Sequence, residues 1–417
     1  MVEIINIGDE LLIGQVVNTN ASWMAEQLSL GGFRVHQVTV VSDSRQHILQ
    51  ALAEAENRSG IVLISGGIGP TKDDITKHTL CEFFNTRLVF NQDAFDSVEK
   101  MFARRGYPVT ELNRQQAELP EGCTGIPNPV GTARGMWFEK ERVTGGKTIF
   151  VSMPGVPFEM KAMMTDFVIP SLKKIFPTPF ILHKTILTQG IGESFLAAQI
   201  ADWENGLPEN VKLAYLPQPG IVRLRLTATG IEEMVRHQIE EAVSNLEQLI
   251  PDYIFGYDEE TLEEIVGKLL RQRNATLATA ESCTGGYLAH LITGVPGSSA
   301  YFKGSVVAYA NSIKESILGV DPGSLKNYGA VSKQVVTEMA VSTQILFKSD
   351  YVIATSGIAG PDGGTPEKPV GTIWIAIATP EKVFALHYLF GDSRDRNIRR
   401  TALQALNLLR KAIKREN

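Results

Sequence analysis

Apolar runs alternate with amphipathic stretches along the first 176 residues of the chain. The runs VEIINIG, FRVHQVTVV and GIVLISGG predict strands, and the stretches NTNASWMAEQLSLGG, SRQHILQALAEAENR and DDITKHTLCEFF predict helices. Strands that alternate with helices of this length are typical of a mostly parallel sheet covered on both faces, because parallel strands need crossover connections. The pattern predicts an α/β domain over residues 1–176.

The same alternation returns in the last third of the chain. It predicts helices at 261–273, 285–293, 311–318, 332–347 and 393–415, with strands at 275–280 and in GSVVAYA, YVIATSG, GTIWIAIAT and KVFALHYLF. Between the two α/β regions, the alternating strand IVRLRLTATG and the helix EEMVRHQIEEAVSNLEQLI predict a small α+β domain over 177–254, with the second α/β domain at 255–417. The predicted fold class is therefore α/β, with two mostly parallel α/β domains joined by a small α+β domain.

Composition agrees with an ordinary globular protein. The 417 residues are 43% hydrophobic and 21% charged, and no apolar run approaches the roughly 18 to 20 residues that span a bilayer. The first residues have no basic region of the signal-peptide type, so we expect a cytoplasmic protein without a membrane partner. The net charge of −6 makes nucleic acid an unlikely partner. The three cysteines, Cys81, Cys123 and Cys283, are far apart and predict neither a disulfide framework nor a structural zinc site.

The stretch ATAESCTGGYLAHL places three possible nucleophiles, Ser282, Cys283 and Thr284, between a predicted strand and a predicted helix. Such a junction lies at the carboxyl edge of the sheet, where open α/β folds bind ligands. Gly285 and Gly286 let the backbone approach a ligand closely, and the first amides of the helix point toward it. The local turn alone favours a simpler interpretation, in which Ser282 or Thr284 caps the helix.

Two other loops are predicted at the same edge. YANSIKESILG carries Tyr309, Asn311 and Lys314, and SGIAGPDGGTPEKPVGTIWIA is a long loop without its own secondary structure, a kind that is usually functional. A serine nucleophile needs a base, and these loops contain no histidine, so Lys314 with a lowered pKa is the candidate base. A phosphate contact for Lys314 and a buried core role for Tyr309 remain alternatives.

In this order and spacing, TAESCTGG, YANSIK and SGIAGPDGGTPEKPVGT resemble the C-terminal domain of the CinA family. Active members of that family are nicotinamide-nucleotide amidohydrolases, which convert nicotinamide mononucleotide into nicotinic acid mononucleotide and ammonia without a cofactor. The resemblance implies Ser282 as the nucleophile, Lys314 as the base and Tyr309 as their companion. Helix-start amides near Thr284 and Gly285 would stabilise the oxyanion. The substrate loops would contribute Thr284, Gly285, Gly286, Asn311, Ser356, Gly357, Gly360, Asp362, Gly363, Gly364 and Thr365.

Cys283 is a competing nucleophile within the same turn. A thiol is intrinsically more nucleophilic than a hydroxyl, and spacing alone does not rank the two.

Two N-terminal stretches carry a second set of candidates. SGGIGPT follows a buried strand and precedes a helix, so the amides around Gly66, Gly67 and Gly69 are predicted to cradle a phosphate or pyrophosphate. Carboxylates beside such a cradle suggest a hard divalent cation. Favourable placement in a first helical turn is the alternative for Asp73 and Asp74.

These stretches resemble the MogA-like fold of molybdenum-cofactor biosynthesis, and more closely the N-terminal domain of the CinA family. That resemblance implies ADP-ribose pyrophosphatase activity that needs a divalent cation, magnesium or cobalt, and is stimulated by potassium. The implied metal candidates are Asp9, Glu10, Asp73, Asp74 and Glu159.

The middle segment is similar to the KH-like domain of the same family. Its glycines in TQGIGES are one residue apart and lack the GXXG spacing of RNA-binding KH loops, so we expect a structural or dimer-forming role. The whole chain is thus predicted to be a bifunctional pyridine-nucleotide salvage enzyme that forms a homodimer. The alternatives are a non-catalytic accessory protein of competence or DNA damage, and a pterin-binding module.

Overall fold

The computed structural model describes residues 1–71, 74–104, 106–142 and 146–416. The chain divides into two compact units, one of Met1–Leu182 with Thr229–Val235 and one of His183–Ala228 with Arg236–Asn417. The boundaries of the three domains, at 1–176, 177–254 and 255–417, remain a prediction, because the two compact units are defined by contacts and not by sequence pattern. The predicted α/β fold class is confirmed.

The N-terminal unit is built on a sheet whose strands, in spatial order, are β2 (Val35–Val41), β1 (Val2–Ile7), β3 (Ile61–Ser65), β8 (Lys147–Met153), β7 (Gly135–Glu141) and β6 (Thr124–Ile126). The pairs from β2 to β8 are parallel, and β7 and β6 continue the sheet antiparallel. Strands β1 and β3 are buried along their whole length, because helices cover both faces. Ile4 packs with Met24 on one face, and its neighbour Ile5 packs with Leu52 on the other.

The strands of this unit are β1 (Val2–Ile7), β2 (Val35–Val41), β3 (Ile61–Ser65), β4 (Leu88–Phe90), β5 (Glu118–Pro120), β6 (Thr124–Ile126), β7 (Gly135–Glu141) and β8 (Lys147–Met153). Its helices are α1 (Asp9–Leu12), α2 (Thr19–Leu30), α3 (Arg45–Arg58), α4 (Thr76–Phe83), α5 (Gln92–Arg104), α6 (Glu111–Gln115), α7 (Pro157–Met163) and α8 (Ile169–Ile175), with a π-helical turn at Met164–Val168.

The middle segment forms a sheet with two helices, and its strand order is β10 (Val211–Gln218), β11 (Ile221–Gly230), β9 (Phe180–Gln189) and β12 (Ile254–Tyr257). The alternating pattern predicted a half-buried strand, and Val222, Leu224, Leu226 and Ala228 are indeed the buried positions of β11. The elements are β9 (Phe180–Gln189), α9 (Glu193–Asn205), β10 (Val211–Gln218), β11 (Ile221–Gly230), α10 (Glu232–Leu249) and β12 (Ile254–Tyr257).

The C-terminal sheet has the strand order β14 (Phe302–Val307), β13 (Leu277–Glu281), β15 (Tyr351–Gly357), β16 (Thr372–Ala378) and β17 (Val383–Leu389). Helices α15 (Lys333–Phe347) and α16 (Arg394–Arg415) cover it. The first three strands are parallel, and β16 and β17 are antiparallel additions. Helix α15 covers one face through Met339, and α16 covers the other through Leu406 and Leu409. The elements are α11 (Leu262–Gln272), β13 (Leu277–Glu281), α12 (Tyr287–Thr293), β14 (Phe302–Val307), α13 (Asn311–Ser316), α14 (Pro322–Tyr328), α15 (Lys333–Phe347), β15 (Tyr351–Gly357), β16 (Thr372–Ala378), β17 (Val383–Leu389) and α16 (Arg394–Arg415).

Two details of the C-terminal prediction are corrected. Helix α12 begins at Tyr287 and not at residue 285, because Gly285 and Gly286 have left-handed φ angles of 61° and 97°. Helix α14 was not predicted, since its seven residues are too short for an apolar period to emerge.

None of the helices in the described ranges combines the length and apolar character needed to cross a bilayer.

Candidate active site

Strand register brings the C-terminal motifs to one sheet edge. Glu281, the last residue of β13, lies opposite Val307 of β14 and Thr355 of β15. Ser282 and Ala308 therefore leave the sheet at the same level, while β15 continues for two more residues to Gly357 before the Gly/Pro loop begins. The predicted meeting of the SCTGG turn, the YANSIK loop and the start of the Gly/Pro loop is what the register produces.

The turn that carries Ser282 is anchored by a carboxylate that the sequence analysis missed. Glu281 is fully buried, and its carboxylate accepts hydrogen bonds from the amides of Gly286 (3.0 Å), Leu288 (3.0 Å) and Ala289 (2.8 Å). Glu281 thus satisfies the first amides of α12 from the preceding strand. The cap interpretation is wrong, because Gly286 is the N-cap residue and it makes no side-chain cap.

The same bonds correct the expected oxyanion donors. The helix-start amides are already taken by Glu281, and the Gly285 amide donates to the Ser282 carbonyl at 3.2 Å. Within the described part of the chain, the amides of Cys283 and Thr284 are the turn amides for which no acceptor is found. The Thr284 side chain is 2% exposed and shares a hydrogen bond of 2.8 Å with the Thr355 hydroxyl, so it stiffens the turn.

Ser282 and Cys283 have opposite environments. The Ser282 amide donates to the Thr355 carbonyl at 3.0 Å, and its side chain is partly exposed at the edge. The Cys283 thiol is buried, and burial raises its pKa to about 12. A thiol that stays protonated and shielded is a poor nucleophile. The environments therefore favour Ser282.

Lys314 is a buried amine beside this turn. It is 1% exposed, and its Nζ donates to the Ala308 carbonyl at 2.8 Å and the Tyr309 carbonyl at 3.5 Å. Burial lowers the pKa of Lys314 from its ordinary value, and the nearby Cys283 sulfur opposes part of that lowering. Among the described residues, no hydrogen bond joins Lys314 to Ser282. A buried amine with a lowered pKa is the type of group that serves as a general base near neutral pH.

Tyr309 is 59% exposed, so the alternative of a buried core aromatic is wrong. Its hydroxyl accepts a hydrogen bond of 2.9 Å from Arg394, whose other terminal nitrogen donates to the Gly360 carbonyl at 2.9 Å. Arg394 was missed because it is the first residue of α16, far from every motif in the sequence. It links the YANSIK loop to the Gly/Pro loop and places a cation at the edge.

The Gly/Pro loop has a packed part and an open part. Ser356 was expected to bind substrate, but it is 1% exposed and its hydroxyl donates to the Ala330 carbonyl at 2.7 Å, so its role is structural. Gly357 and Gly360 are packed, since an added Cβ would lie 2.3 Å from Ile373 and 2.6 Å from Val370 respectively. The remaining loop candidates and the first residue of α13 are exposed, namely Asp362, Gly363, Gly364, Thr365 and Asn311.

A cavity lies at the carboxyl edge of the N-terminal sheet. Its volume is about 380 Å³, and it is lined by the loops that follow β1, β3 and β8. The predicted candidates on its wall are Glu10, Gly66, Gly67, Gly69, Asp74 and Glu159.

The glycines of this cradle allow a close backbone approach. A Cβ at Gly66, where φ is 120°, would lie 2.1 Å from the Ile7 carbonyl oxygen. A Cβ at Gly67 would lie 2.1 Å from the Thr76 hydroxyl. No side chain fits at either position, so the tight turn needs glycine there.

The carboxylates around the cavity differ in how free they are. Glu159 accepts a hydrogen bond of 2.6 Å from Asn128, and Asp74 accepts one of 2.9 Å from the Thr71 amide. Asp9 is off the cavity wall, and its amide donates to the Asp43 carboxylate at 3.0 Å. Asp73 lies outside the described residues.

The cavity also contains residues that sequence reasoning did not identify. Asp43, Gln116 and Thr132 line it, and Lys77 lies behind its wall, donating to the Gln116 carbonyl at 3.2 Å. Lys77 is 6% exposed, and burial lowers its pKa to about 8. No motif pointed to these residues, because they come from different elements that only the fold brings together.

The donor set can be tested against the implied cation. Glu10, Asp43, Asp74 and Glu159 supply the oxygen ligands that magnesium prefers. Within the described ranges, however, no group of three or more acidic, histidine or cysteine side chains is arranged to hold a metal ion. The described carboxylates fit a cation held by one or two of them together with ligand phosphates, which is the usual mode for magnesium.

These features define an α/β protein with a glycine-rich cradle at one sheet edge and a serine beside a buried lysine at another. Family models match three segments, described as a probable molybdopterin binding domain (residues 3–174), a damage-inducible protein CinA KH domain (183–256) and a CinA C-terminal domain (259–413). The chain belongs to the CinA family, and the expected KH-like middle domain is confirmed.

Two curated relatives support this membership over the full length, and one solved structure is similar to part of the chain. A CinA-like protein of Cytophaga hutchinsonii is 48% identical over 99% of this chain and 98% of its own length. A CinA-like protein of Flavobacterium psychrophilum is 48% identical over 98% of each chain. The crystal structure of competence/damage inducible protein CihA from Agrobacterium tumefaciens is 34% identical, covers 37% of this chain and 93% of its own, and has a TM-score of 0.36.

Proposed function

We propose that the C-terminal domain is an amidase that hydrolyses nicotinamide mononucleotide to nicotinic acid mononucleotide and ammonia. The observation that carries the proposal is the state of Lys314, a buried amine with a lowered pKa next to the Ser282 turn. A neutral amine has two N–H groups and one lone pair. The carbonyls of Ala308 and Tyr309 accept the two N–H groups, which leaves the lone pair to receive a proton.

The proposed reaction passes through an ester on Ser282. The Ser282 oxygen bonds to the carboxamide carbon while its proton moves to Lys314, and negative charge develops on the amide oxygen near the N–H groups of Cys283 and Thr284. The C–N bond then breaks, and the nitrogen leaves as ammonia with the proton from Lys314. Water attacks the ester carbon while one of its protons moves to Lys314, and Lys314 then gives that proton to the Ser282 oxygen as the ester bond breaks.

Arg394 supports a phosphate-bearing substrate. Its guanidinium is exposed at the same edge and donates two N–H groups to Tyr309 and Gly360. Three of its five N–H groups therefore remain to bind a ligand. A guanidinium in this position suits a substrate phosphate.

The direct test is ammonia release from nicotinamide mononucleotide, nicotinamide riboside and NAD by the full-length chain. We expect the mononucleotide to be preferred over the riboside. We also expect Arg394→Ala to raise KM for the mononucleotide by about tenfold or more, because that factor corresponds to the free energy of one charge-assisted hydrogen bond. The KM for the riboside should be unchanged. Arg415→Ala, at the other end of α16, is the matched control. Equal turnover of all three compounds, or no ammonia from any of them, contradicts the proposal.

We propose further that the N-terminal domain hydrolyses the pyrophosphate of ADP-ribose. The glycine cradle and the carboxylate-lined cavity support this, because backbone amides suit phosphate oxygens. A magnesium or cobalt ion, when bound by Glu10, Asp43, Asp74 or Glu159 together with the substrate, would neutralise phosphate charge. The potassium dependence and the homodimer stay predictions, as does the combined role in pyridine-nucleotide salvage.

The double variant Asp74→Asn, Glu159→Gln tests this N-terminal site. We expect at least a hundredfold loss of ADP-ribose hydrolysis with magnesium, since the variant removes two of the carboxylates on the cavity wall. Production of AMP and ribose 5-phosphate is measured, with ammonia release as an internal control that should not change. Glu99→Gln, an exposed carboxylate on α5, is the matched surface control. Full ADP-ribose hydrolysis by the double variant would exclude this cavity as the site.

A further inference from the structure

Another cavity lies within the second compact unit. Its volume is about 400 Å³, which is within the range of small-molecule sites. It is walled by the Gly190–Gly192 loop, the turn between β10 and β11, the end of β17 and one face of α16. None of the amidase candidates lines it.

One end of this cavity has unused donors for an anion. Gly190 has a left-handed φ of 91°, and Gly192 starts α9, a helix of 13 residues that has no side-chain cap. The first amides of α9 therefore face outward with the positive end of the helix dipole. Arg400 lines the same cavity, and among the described residues it has no ion-pair partner.

The opposite wall is aromatic. Tyr388 and Phe390 have rings stacked at 5.7 Å, and the Arg400 guanidinium lies 4.5 Å over the Phe390 ring. Gln404 donates to the Tyr388 hydroxyl at 2.9 Å, which orients that ring. An aromatic pair beside a cation is a surface on which a planar heterocycle packs well.

Gln189 is the feature that the fold leaves unexplained. It lines the cavity and is 2% exposed, but its side-chain oxygen has no hydrogen-bond partner among the described residues. A buried amide without a partner costs about 1 to 3 kcal/mol in general, so its retention points to a partner that binds there.

We propose that this cavity binds a nucleoside monophosphate as a second ligand, separate from the amidase substrate. The phosphate would lie between Arg400 and the first amides of α9, the base would pack on the aromatic wall, and the Gln189 amide would contact a polar edge of the ligand. The exposed carboxylate of Glu193 also lines the cavity, so one acidic and one basic side chain face the ligand. That balance favours a small anion over a polyanion such as RNA, which binds through several cations.

Calorimetric titration of the full-length chain with guanosine monophosphate tests the proposal. This probe is neither a substrate nor a product of the proposed reactions, so its binding does not depend on them. We expect one site per chain, with affinity weakened about tenfold or more by Arg400→Ala and partly restored by Arg400→Lys. Gln189→Leu should also weaken binding, and thermal unfolding shows whether that variant is folded.

Arg399→Ala is the matched control, because Arg399 is the adjacent residue of α16 and does not line this cavity. It should bind the nucleotide like the unmodified chain. Absence of binding by the unmodified chain, or equal affinity of the Arg400→Ala variant, overturns the proposal. Tight binding of an oligouridine RNA without binding of guanosine monophosphate would also overturn it.

Discussion

Replacing Ser282 by alanine is expected to reduce ammonia release from nicotinamide mononucleotide by about ten-thousandfold, the scale of losing a catalytic nucleophile. The physical reason is that no other side chain of the turn can attack. Thr284 is buried and bonded to Thr355, and the Cys283 thiol has a pKa of about 12. Initial rates of ammonia release, with single-turnover trapping of an acyl-enzyme in the unmodified chain, measure the effect.

Cys283→Ala is the matched control for this experiment. Because the thiol is buried and protonated, we expect its removal to leave ammonia release within a few-fold of the unmodified rate. If Cys283→Ala abolished the reaction while Ser282→Ala left it intact, the assignment of the nucleophile would be reversed.

Replacing Lys314 by methionine is expected to lower kcat for ammonia release by about a thousandfold, the usual contribution of a general base. Burial lowers the pKa of this amine below its ordinary 10.5, so the neutral form becomes available at lower pH. In the unmodified chain, kcat/KM should therefore rise with pH up to an apparent pKa below 10.5. The residual activity of Lys314→Met should lack that rise.

Stability separates a catalytic effect from a folding effect in this variant. The pKa of Lys314 is lower in the folded chain than in the unfolded chain, so the unfolded state binds more protons between the two values. The contribution of Lys314 to stability thus rises as pH increases from its folded pKa toward 10.5. At neutral pH, the melting temperature of Lys314→Met should fall far less than its activity does. Lys326→Met, at an exposed position on α14, should change neither the melting temperature nor the activity. An unchanged kcat in a folded Lys314→Met protein would remove Lys314 from the mechanism.

The strands and long helices were predictable because their patterns are local. An apolar run such as IVLIS is buried as a whole, and the alternation in β11 places its apolar residues on one face. The glycine motifs were also informative, since Gly66, Gly67, Gly285 and Gly286 all have the left-handed backbone that glycine favours. Local rules therefore located both sheet edges.

Residues whose role depends on a distant partner could not be predicted in this way. Glu281 follows the predicted strand 275–280 and was assigned no role, yet its carboxylate holds the start of α12. Arg394 belongs to a helix 85 residues from Tyr309, which it contacts. Ser356 was placed at the correct edge but with the wrong role, because only packing decides that its hydroxyl turns toward Ala330.

The sequence by itself determined that two α/β sheets form and that the SCTGG, YANSIK and SGGIGPT stretches lie at their carboxyl edges. It did so because chain direction, apolar period and glycine conformation are properties of short segments. Tertiary structure decided which side chains at those edges are free to act. Burial protonates Cys283 and lowers the pKa of Lys314, and the desolvation that causes both exists only once distant segments have packed around them.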